Sequence, residues 1–391
     1  MEKKIKLNTH STSLRVSDAK RLRVAVGMSG GVDSAVAAAL LKKQGYDVVG
    51  FMMKLWSDES CAVSRDNACC DEQGLRDAHK IADILDIPFY VVDVRKVFKD
   101  EIADYFIDEY KNLRTPNPCV KCNDRIKFGW LLDFAKKTGC EKIATGHYAR
   151  ILPGMDSEQN RQRKSHIKLM RGKDTNKDQS YFLYGLSQEQ LDHIVFPLGE
   201  MTKPEVRALA KKMKLPVHEK GESQEICFIQ EKDYREFLRR HIPSEFYQSG
   251  QIVNAEGKVL GEHTGLINYT IGQRKNVNQE LRIMNHEDKK PLYVIKFDVL
   301  HNRLVVGEDK EVYQIEMTVG DMKWISDKQL AIGNKRLTVK IRYRHEAVPC
   351  KIKDDGEGLK VEFEKSQRAI TPGQSAVFYS EEEVLGGGII Q

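Results

Sequence analysis

Gly27-Met28-Ser29-Gly30-Gly31-Val32-Asp33-Ser34 is the stretch that decides the fold of the chain around it. An apolar run (22–26) precedes it and an alanine-rich run (35–41) follows it, a pattern typical of a strand, a tight loop and a helix. Adjacent glycines allow backbone N–H groups to face inward, and the helix dipole is positive at the same point. The segment therefore predicts a phosphate cradle. No lysine follows the glycines, which excludes the Walker loop.

The neighbouring sequence extends this pattern into an alternation of strands and helices. Strand-like runs at 47–55, 87–94 and 141–145 are separated by segments with helical spacing. Such an alternation predicts an α/β fold with a doubly wound parallel sheet. Met53 falls near the carboxyl end of its strand, where ligands of open α/β sheets bind.

Length and composition place limits on the class of protein. A chain of 391 residues has room for two or three domains, and its formal charge of +6 permits a polyanionic partner. It has no apolar run of the roughly 18 residues that cross a membrane, and residues 1–21 lack the apolar core of a secretory signal. We therefore expect a cytoplasmic protein without membrane association, a disordered tail over 1–21, and eight cysteines present as thiols.

The pattern changes along the chain and predicts three domains. Residues 22–230 form the doubly wound nucleotide-binding domain, and residues 231–290 form a small mixed α/β domain. From about Gly250 onward, turn signals separate short runs with a period of two, without a long helical pattern. Residues 291–391 are therefore predicted to form a β-barrel.

Cys119 and Cys122 form a C-x-x-C pair in a loop that two prolines stiffen. Such a pair is half of many zinc sites, but no second C-x-x-C or H-x-x-H completes it. An inert surface pair is a further alternative. The third, which we favour, is a pair of reactive thiols that the distant Cys227 joins.

The residues Ser-Gly-Gly-Val-Asp-Ser at 29–34 resemble the PP-loop of the ATP pyrophosphatase superfamily. Members of that superfamily split ATP into AMP and pyrophosphate while they adenylate a substrate oxygen. The resemblance implies that Asp33 helps to hold Mg²⁺ and the leaving pyrophosphate, a task that suits a hard oxygen ligand.

Seven ordered motifs between about residues 22 and 380 resemble the tRNA-specific 2-thiouridylases, the MnmA family. They are 29–34 (Ser-Gly-Gly-Val-Asp-Ser), 114–118 (Arg-Thr-Pro-Asn-Pro) with 122–123 (Cys-Asn), 145–149 (Thr-Gly-His-Tyr-Ala), 177–183 (Lys-Asp-Gln-Ser-Tyr-Phe-Leu), 223–228 (Ser-Gln-Glu-Ile-Cys-Phe), 261–265 (Gly-Glu-His-Thr-Gly) and 272–275 (Gly-Gln-Arg-Lys). The order of so many motifs makes a chance match implausible.

The resemblance implies a set of roles for residues of this sequence. Uridine at the wobble position of glutamate, glutamine or lysine tRNA is adenylated on its 2-carbonyl oxygen, and sulfur from a persulfide on Cys227 replaces that oxygen with help from Cys122. The two thiols pair transiently as a disulfide, and we expect both to have depressed pKa values, with Lys121 assisting. A sulfur-relay protein or a cysteine desulfurase supplies the sulfur. The implied ATP-binding residues are Gly27, Met28, Ser29, Gly30, Gly31, Val32, Asp33, Ser34, Met53 and Gly146; those for the target base are Asn117, Pro118 and Cys119; those for tRNA are His147, Lys177, Asp178, Gln179, Arg342, Tyr343 and Gln374.

Cys119 departs from the family pattern, because many members have aspartate at this position. Three thiols, Cys119, Cys122 and Cys227, are then candidates to hold an iron–sulfur cluster with one open iron. We rank this cluster-dependent thiolation second to the persulfide route.

The run 335–344 is the clearest candidate for an RNA-facing strand. With a period of two, Lys340, Arg342 and Arg344 share one face, although a solvated charged face is the simpler interpretation of this pattern alone. Two rival functions stay open: a PP-loop ligase that acts on a small carboxylate, and a non-catalytic RNA-binding protein. The first does not need Cys122 and Cys227, and the second releases no pyrophosphate with tRNA.

Overall fold

The computed structural model describes residues 21–58, 72–153, 166–221, 226–231, 233–275, 277, 281, 290–329, 333, 336–354, 356 and 358–391. The predicted disordered tail, apart from Arg21, lies outside the described residues, as do Cys61, Cys69 and Cys70. Among the residues that are described, no helix is both long and apolar enough to cross a bilayer.

The first part of the chain alternates strands and helices, as its pattern predicts. The strands are β1 (Arg23–Gly27), β2 (Asp47–Lys54), β3 (Phe89–Asp93), β4 (Lys142–Ala144), β5 (Ala149–Pro153), β6 (Ile167–Arg171) and β7 (Ile194–Val195). The helices are α1 (Val32–Lys43), α2 (Glu72–Leu85), α3 (Arg95–Phe98), α4 (Asp104–Lys111), α5 (Pro118–Lys121), α6 (Leu131–Lys137), α7 (Gln188–Asp192) and α8 (Lys203–Lys212), with π-helical segments at Lys99–Ala103 and Cys122–Trp130.

A parallel sheet with the strand order β3-β2-β1-β4-β7 forms the core of this part. Strand β1 is central, so the loop that follows it opens at the carboxyl edge of the sheet. Helix α1 presents mostly alanines to the sheet, and Ala35, Ala37 and Ala38 are fully buried. Small side chains let the helix axis approach the sheet closely, which fixes the position of the loop. The predicted doubly wound fold is confirmed.

A second sheet follows helix α9 (Tyr234–His241). Its strands are β8 (Gly250–Val253), β9 (Val259–His263), β10 (Tyr293–Asp298) and β11 (Arg303–Gly307), in the order β10-β11-β8-β9. Strand β11 runs parallel to β8 and antiparallel to β10. This pairing extends the middle unit beyond residue 290, where the sequence pattern places the start of the barrel, because β10 and β11 have the same period of two as the later strands.

The third sheet closes into a barrel. Its strands are β12 (Tyr313–Trp324), β13 (Leu337–Lys340), β14 (Val348–Asp354), β15 (Leu359–Arg368), β16 (Ser375–Ser380) and β17 (Glu383–Ile390). They pair in the order β12-β15-β14-β13-β16-β17, and β12 also pairs with β17. The predicted C-terminal barrel is confirmed.

The hairpin of β5 and β6 connects the barrel to the first part of the chain. Strand β6 pairs with β17, and Arg150 Nη2 lies 2.7 Å from a carboxylate oxygen of Glu382. Lys168 Nζ lies 2.7 Å from Glu383. The hairpin therefore holds the barrel against the nucleotide-binding part.

The prediction of one continuous strand over 335–344 is wrong. Residue 335 lies outside the described residues, and β13 ends at Lys340. The backbone then turns, with the His345 N–H donating to the Arg342 carbonyl oxygen at 3.1 Å. The Tyr343 ring lies 4.5 Å from the Phe182 ring. This aromatic packing and the turn replace the ladder hydrogen bonds that a longer strand would make.

Candidate functional site

The glycine loop between β1 and α1 is held by its own serines. Ser34 Oγ donates to the Gly31 carbonyl oxygen at 3.1 Å and accepts from the Ser29 N–H at 3.2 Å. Gly30 has φ +68°, and a Cβ there would lie 2.3 Å from the Gly74 carbonyl oxygen of α2. Only glycine fits this contact, so the loop lies directly against α2.

Gly146 closes the other side of the loop. It follows β4, and a Cβ on it would lie 2.7 Å from the Asp33 carbonyl carbon and 2.8 Å from the Ser34 nitrogen. The structure therefore brings Gly146 to the predicted ATP-binding residues 27–34. Met53 is half-buried near the carboxyl end of β2, the strand next to β1. The glycine cradle and the N-terminus of α1 fit the phosphates of a nucleotide.

Asp33 is the carboxylate in this loop, and its side chain has strong partners. Lys203 Nζ lies 2.8 Å from each carboxylate oxygen, and the Tyr148 hydroxyl donates to Oδ1 at 2.8 Å. A carboxylate is a suitable ligand for the Mg²⁺ that the resemblance implies. In this structure, however, the Asp33 carboxylate is paired with the Lys203 ammonium. Sequence motifs did not reveal Lys203 as a site residue, although the Thr202–Glu205 pattern marks the start of its helix.

The proline-stiffened loop at 114–118 contacts the barrel. The Thr115 N–H donates to the Pro372 carbonyl oxygen at 2.8 Å, and Gln374 Nε2 donates to the Thr115 carbonyl oxygen at 2.9 Å. The Asn117 side chain hydrogen-bonds to Tyr181. Gln374, which is predicted to contact tRNA, therefore lies against the loop that leads into the residues predicted for the target base, Asn117, Pro118 and Cys119.

The three cysteines of interest differ in exposure. Cys122 is buried in the main core, whereas Cys119 and Cys227 are exposed. Desolvation by the surrounding protein raises the pKa of the Cys119 thiol, and Lys127 opposes this effect. Lys121, the expected helper of the thiols, has its Nζ 4.1 Å from the centre of the Tyr105 ring.

The cysteines do not form a bond or a metal site in this structure. Cys119, Cys122 and Cys227 take part in no disulfide. Within the described part of the chain, no three or more His, Cys, Asp or Glu side chains are grouped closely enough to hold a metal ion. The arrangement seen here therefore does not fit the three-thiol cluster, and we derive no step through one.

Phe228 anchors the segment that carries Cys227. Its ring is 2% exposed and lies 5.5–5.7 Å from the rings of Phe98, Phe106 and Phe237. Phe228 belongs to the same core cluster as Cys122. A fixed ring next to Cys227 limits the positions that the thiol can reach.

Replacing Phe228 with alanine should lower the free energy of unfolding by about 3–5 kcal/mol, because a large buried ring leaves a cavity. The thiolation that the family resemblance implies should slow in a single turnover while ATP affinity stays unchanged, since the anchor lies at Cys227. Urea unfolding and rapid-quench assays measure both effects. Phe246→Ala is the matched control, because Phe246 is 39% exposed. An equal loss of stability in both variants would contradict the anchoring role, and Phe228→Leu serves if the alanine variant does not fold.

The residues predicted to contact tRNA lie in two kinds of environment. Arg342 and Tyr343 are half-buried at the turn after β13, with Lys340 Nζ 5.8 Å from the centre of the Tyr343 ring. Asp178 is buried, and its carboxylate accepts from the N–H groups of Gly172 and Ser180 at 3.1 and 3.0 Å. It therefore shapes the turn before the Ser180–Leu183 segment.

Lys177 and Gln179 flank Asp178 and are half-exposed. Gln179 Oε1 accepts from the Tyr148 N–H at 3.0 Å. Because Tyr148 also holds Asp33, the segment predicted to contact tRNA is tied through Tyr148 to the glycine loop.

His147, the remaining predicted tRNA contact, is buried. Its Nδ1 lies 2.7 Å from Thr145 Oγ1, and its ring lies 5.8 Å from the rings of Phe128 and Phe196. Burial, with a smaller contribution from Lys127, holds the pKa of His147 well below the usual 6.5. The tRNA contact at His147 therefore stays a prediction.

The lowered pKa of His147 predicts a pH-dependent stability. The unfolded chain binds a proton at this residue near pH 6.5 and the folded chain does not, so stability is full above about pH 6.5 and falls below it, by at most about 1.4 kcal/mol per pH unit. His263 and His345 also have lowered pKa values and contribute in the same sense. His147→Gln should therefore reduce the slope of unfolding free energy between pH 5 and 6.5 without removing it. Exposed His79, replaced in the same way, is the control; equal slopes in wild type and His147→Gln would contradict the assignment.

These elements define a class of protein: an α/β nucleotide-binding chain with a phosphate-binding glycine loop, carrying a C-terminal barrel. Three family profiles match consecutive parts of the chain. Those described as tRNA methyl transferase HUP domain, tRNA methyl transferase PRC-barrel domain and Aminomethyltransferase beta-barrel domain match residues 22–231, 235–308 and 314–390.

Full-length relatives give the particular family. The chain is 47% identical to the tRNA-specific 2-thiouridylase MnmA 2 of Thermoanaerobacter sp. (strain X514), over 94% of this chain and 98% of the relative. It is 42% identical to the MnmA protein of Clostridium perfringens (strain ATCC 13124), with the same coverage. The chain therefore belongs to the tRNA-specific 2-thiouridylase family. A solved 4-thiouridine synthetase–RNA complex with bound ATP matches at 16% identity and a TM-score of 0.32, over 57% of this chain and 50% of that one, which is too distant to support a comparison.

Proposed function

We propose that this chain is an ATP-dependent tRNA sulfurtransferase that converts a wobble uridine into 2-thiouridine. Membership of the 2-thiouridylase family over 94% of the chain is the observation that carries the proposal. Two structural features support it. Gly146 and Asp33 lie at the glycine cradle, and the proline-stiffened loop at 114–118, which precedes Cys119, packs against the barrel. The substrates are the glutamate, glutamine and lysine tRNAs.

The first step of the proposed reaction uses the glycine loop. The 2-carbonyl oxygen of the uridine attacks the α-phosphorus of ATP, and pyrophosphate leaves. A urea-type oxygen is a poor leaving group, and adenylation converts it into the oxygen of AMP. Residues 27–34 bind the phosphates through backbone N–H groups, and Asp33 is the residue that would hold Mg²⁺, which supplies charge neutralisation for the leaving pyrophosphate.

The second step transfers sulfur. A persulfide on Cys227, loaded by a sulfur-relay protein or a cysteine desulfurase, attacks C2 through its outer sulfur, and AMP leaves with the former carbonyl oxygen. The base is then joined to Cys227 through a disulfide. Cys122 attacks the Cys227 sulfur, which releases 2-thiouridine and leaves a Cys122–Cys227 disulfide that a dithiol reductant reopens.

Nucleoside mass spectrometry tests the proposal. The protein is incubated with ATP, Mg²⁺, a persulfide donor and each purified tRNA, and pyrophosphate is measured in parallel. We expect 2-thiouridine in the three named tRNAs, with pyrophosphate released only when tRNA is present. Full ATP-dependent activity in Cys122→Ala and Cys227→Ala variants would indicate a ligase instead, and no pyrophosphate with any tRNA would indicate a non-catalytic RNA-binding protein.

A further inference from the structure

Lys203 belongs to none of the seven sequence motifs, yet its side chain contacts Asp33 of the glycine loop. Its ammonium lies 2.8 Å from both carboxylate oxygens of Asp33, and its side chain is only 9% exposed. A largely buried ammonium group requires an anion nearby, because an unpaired charge away from water is costly. The Asp33 carboxylate meets this requirement.

The backbone of Lys203 is firmly placed. Thr202 and Glu205 form a capping box at the start of α8, and the Lys203 N–H donates to the buried Asp174 carboxylate at 2.8 Å. Movement is therefore restricted to the four-carbon side chain, which is flexible and carries a compact charge. The ammonium can change partners without a change in the fold.

The proposed reaction requires Asp33 for a second task. A Mg²⁺ ion on this carboxylate would lie beside the Lys203 ammonium, and two positive charges at this distance repel each other. The phosphate oxygens of bound ATP carry more negative charge than one carboxylate, so they compete for the ammonium. Both effects move Lys203 in the same direction, away from Asp33 and toward the phosphates.

We propose that Lys203 is a nucleotide-dependent switch that neutralises Asp33 before nucleotide binds and transfers to the β- and γ-phosphate oxygens when Mg·ATP binds. It then holds the pyrophosphate until release. This inference rests on the proposed use of ATP and adds a ligand for the leaving group. Tyr148, whose hydroxyl also donates to Asp33, keeps the carboxylate oriented while the lysine moves.

Lys220 provides a contrast within the same site. Its Nζ lies 2.8 Å from the Asp77 carboxylate of α2 and 3.2 Å from the Gly30 carbonyl oxygen. These contacts tie the loop to α2, and the Asp77 carboxylate is not one that the reaction needs. Lys220 is therefore a structural support of the loop, whereas Lys203 is a ligand.

Calorimetric titration of the full chain with Mg·ATP, Mg·pyrophosphate and AMP tests the switch. Lys203→Met should weaken Mg·ATP and Mg·pyrophosphate by about tenfold or more, the usual effect of losing a charged hydrogen bond, and leave AMP affinity unchanged. Lys203→Arg should keep most of the affinity. Lys211→Met, an exposed site in the last turn of α8, should behave as wild type.

Several results would overturn the inference. Unchanged pyrophosphate affinity in Lys203→Met would remove the role as a ligand, and an equal loss for AMP would assign the residue to support of the fold. Lys203→Gln keeps hydrogen-bond donors without the charge and gives the same discrimination if the methionine variant does not fold. Failure of wild type to bind ATP would instead contradict the proposed function. A wild type that thiolates tRNA, together with a Lys203→Met variant that binds pyrophosphate normally, would contradict the switch alone.

Discussion

Cys227→Ser is expected to reduce formation of 2-thiouridine by roughly a thousandfold or more, the scale of effect seen when a nucleophile is removed. Serine cannot carry a persulfide, so sulfur delivery stops. Adenylation needs only ATP, the glycine loop and the base, so one equivalent of pyrophosphate per enzyme should still appear with tRNA. A rapid-quench assay that follows pyrophosphate and 2-thiouridine together separates these two steps.

Cys122→Ser is expected to stop the reaction at a different point. Without the second thiol, the base stays joined to Cys227 through a disulfide, and a covalent protein–tRNA adduct should accumulate until dithiothreitol releases 2-thiouridine. Cys350→Ala is the control, because Cys350 is buried in the barrel and burial raises the pKa of its thiol to about 12. Thiolation by Cys227→Ser at a rate near that of wild type would contradict the sulfur-transfer route.

Gly30→Ala is expected to lower the affinity for ATP by roughly a hundredfold or more. The added Cβ would lie 2.3 Å from the Gly74 carbonyl oxygen at a φ of +68°, so the loop must move away from α2. Backbone N–H groups hold phosphate only when they point at it, and a displaced loop loses several such hydrogen bonds together. Equilibrium binding of ATP measures the loss.

Gly45→Ala separates the steric effect from backbone strain. Gly45 follows α1 at a φ of +91°, and a Cβ there meets nothing within 4 Å. Alanine at this position costs about 1–2 kcal/mol of backbone strain, which should appear in thermal unfolding and not in ATP binding. Equal ATP affinities in Gly30→Ala and wild type would contradict the cradle geometry.

The glycine loop could be predicted because its signals are local. The strand, the paired glycines and the apolar helix lie within about twenty residues, and each feature restricts the backbone directly. The alternation that follows predicts a parallel sheet in the same way. Gly146 belongs to the predicted site only through family resemblance, since nothing near it in the sequence shows that it contacts Asp33.

Long-range contacts account for what the sequence did not reveal. Lys203 reaches Asp33 across 170 positions, and a lysine at the start of a helix has no local pattern that marks it as a ligand. Strands β10 and β11 have the period of the barrel strands, but β11 pairs with β8 and β10 pairs with β11, because period alone does not choose a partner. The strand after 335 ends early since Tyr343 packs on Phe182, a contact between distant segments.

Transfer of an oxygen isotope tests the central claim, that ATP activates the oxygen that sulfur replaces. A tRNA with ¹⁸O at the 2-carbonyl of the wobble uridine is incubated with the protein, ATP, Mg²⁺ and a persulfide donor, and the AMP is analysed by mass spectrometry. We predict one ¹⁸O atom in AMP for each 2-thiouridine formed. Formation of 2-thiouridine with unlabelled AMP and the ¹⁸O released into water would contradict the claim.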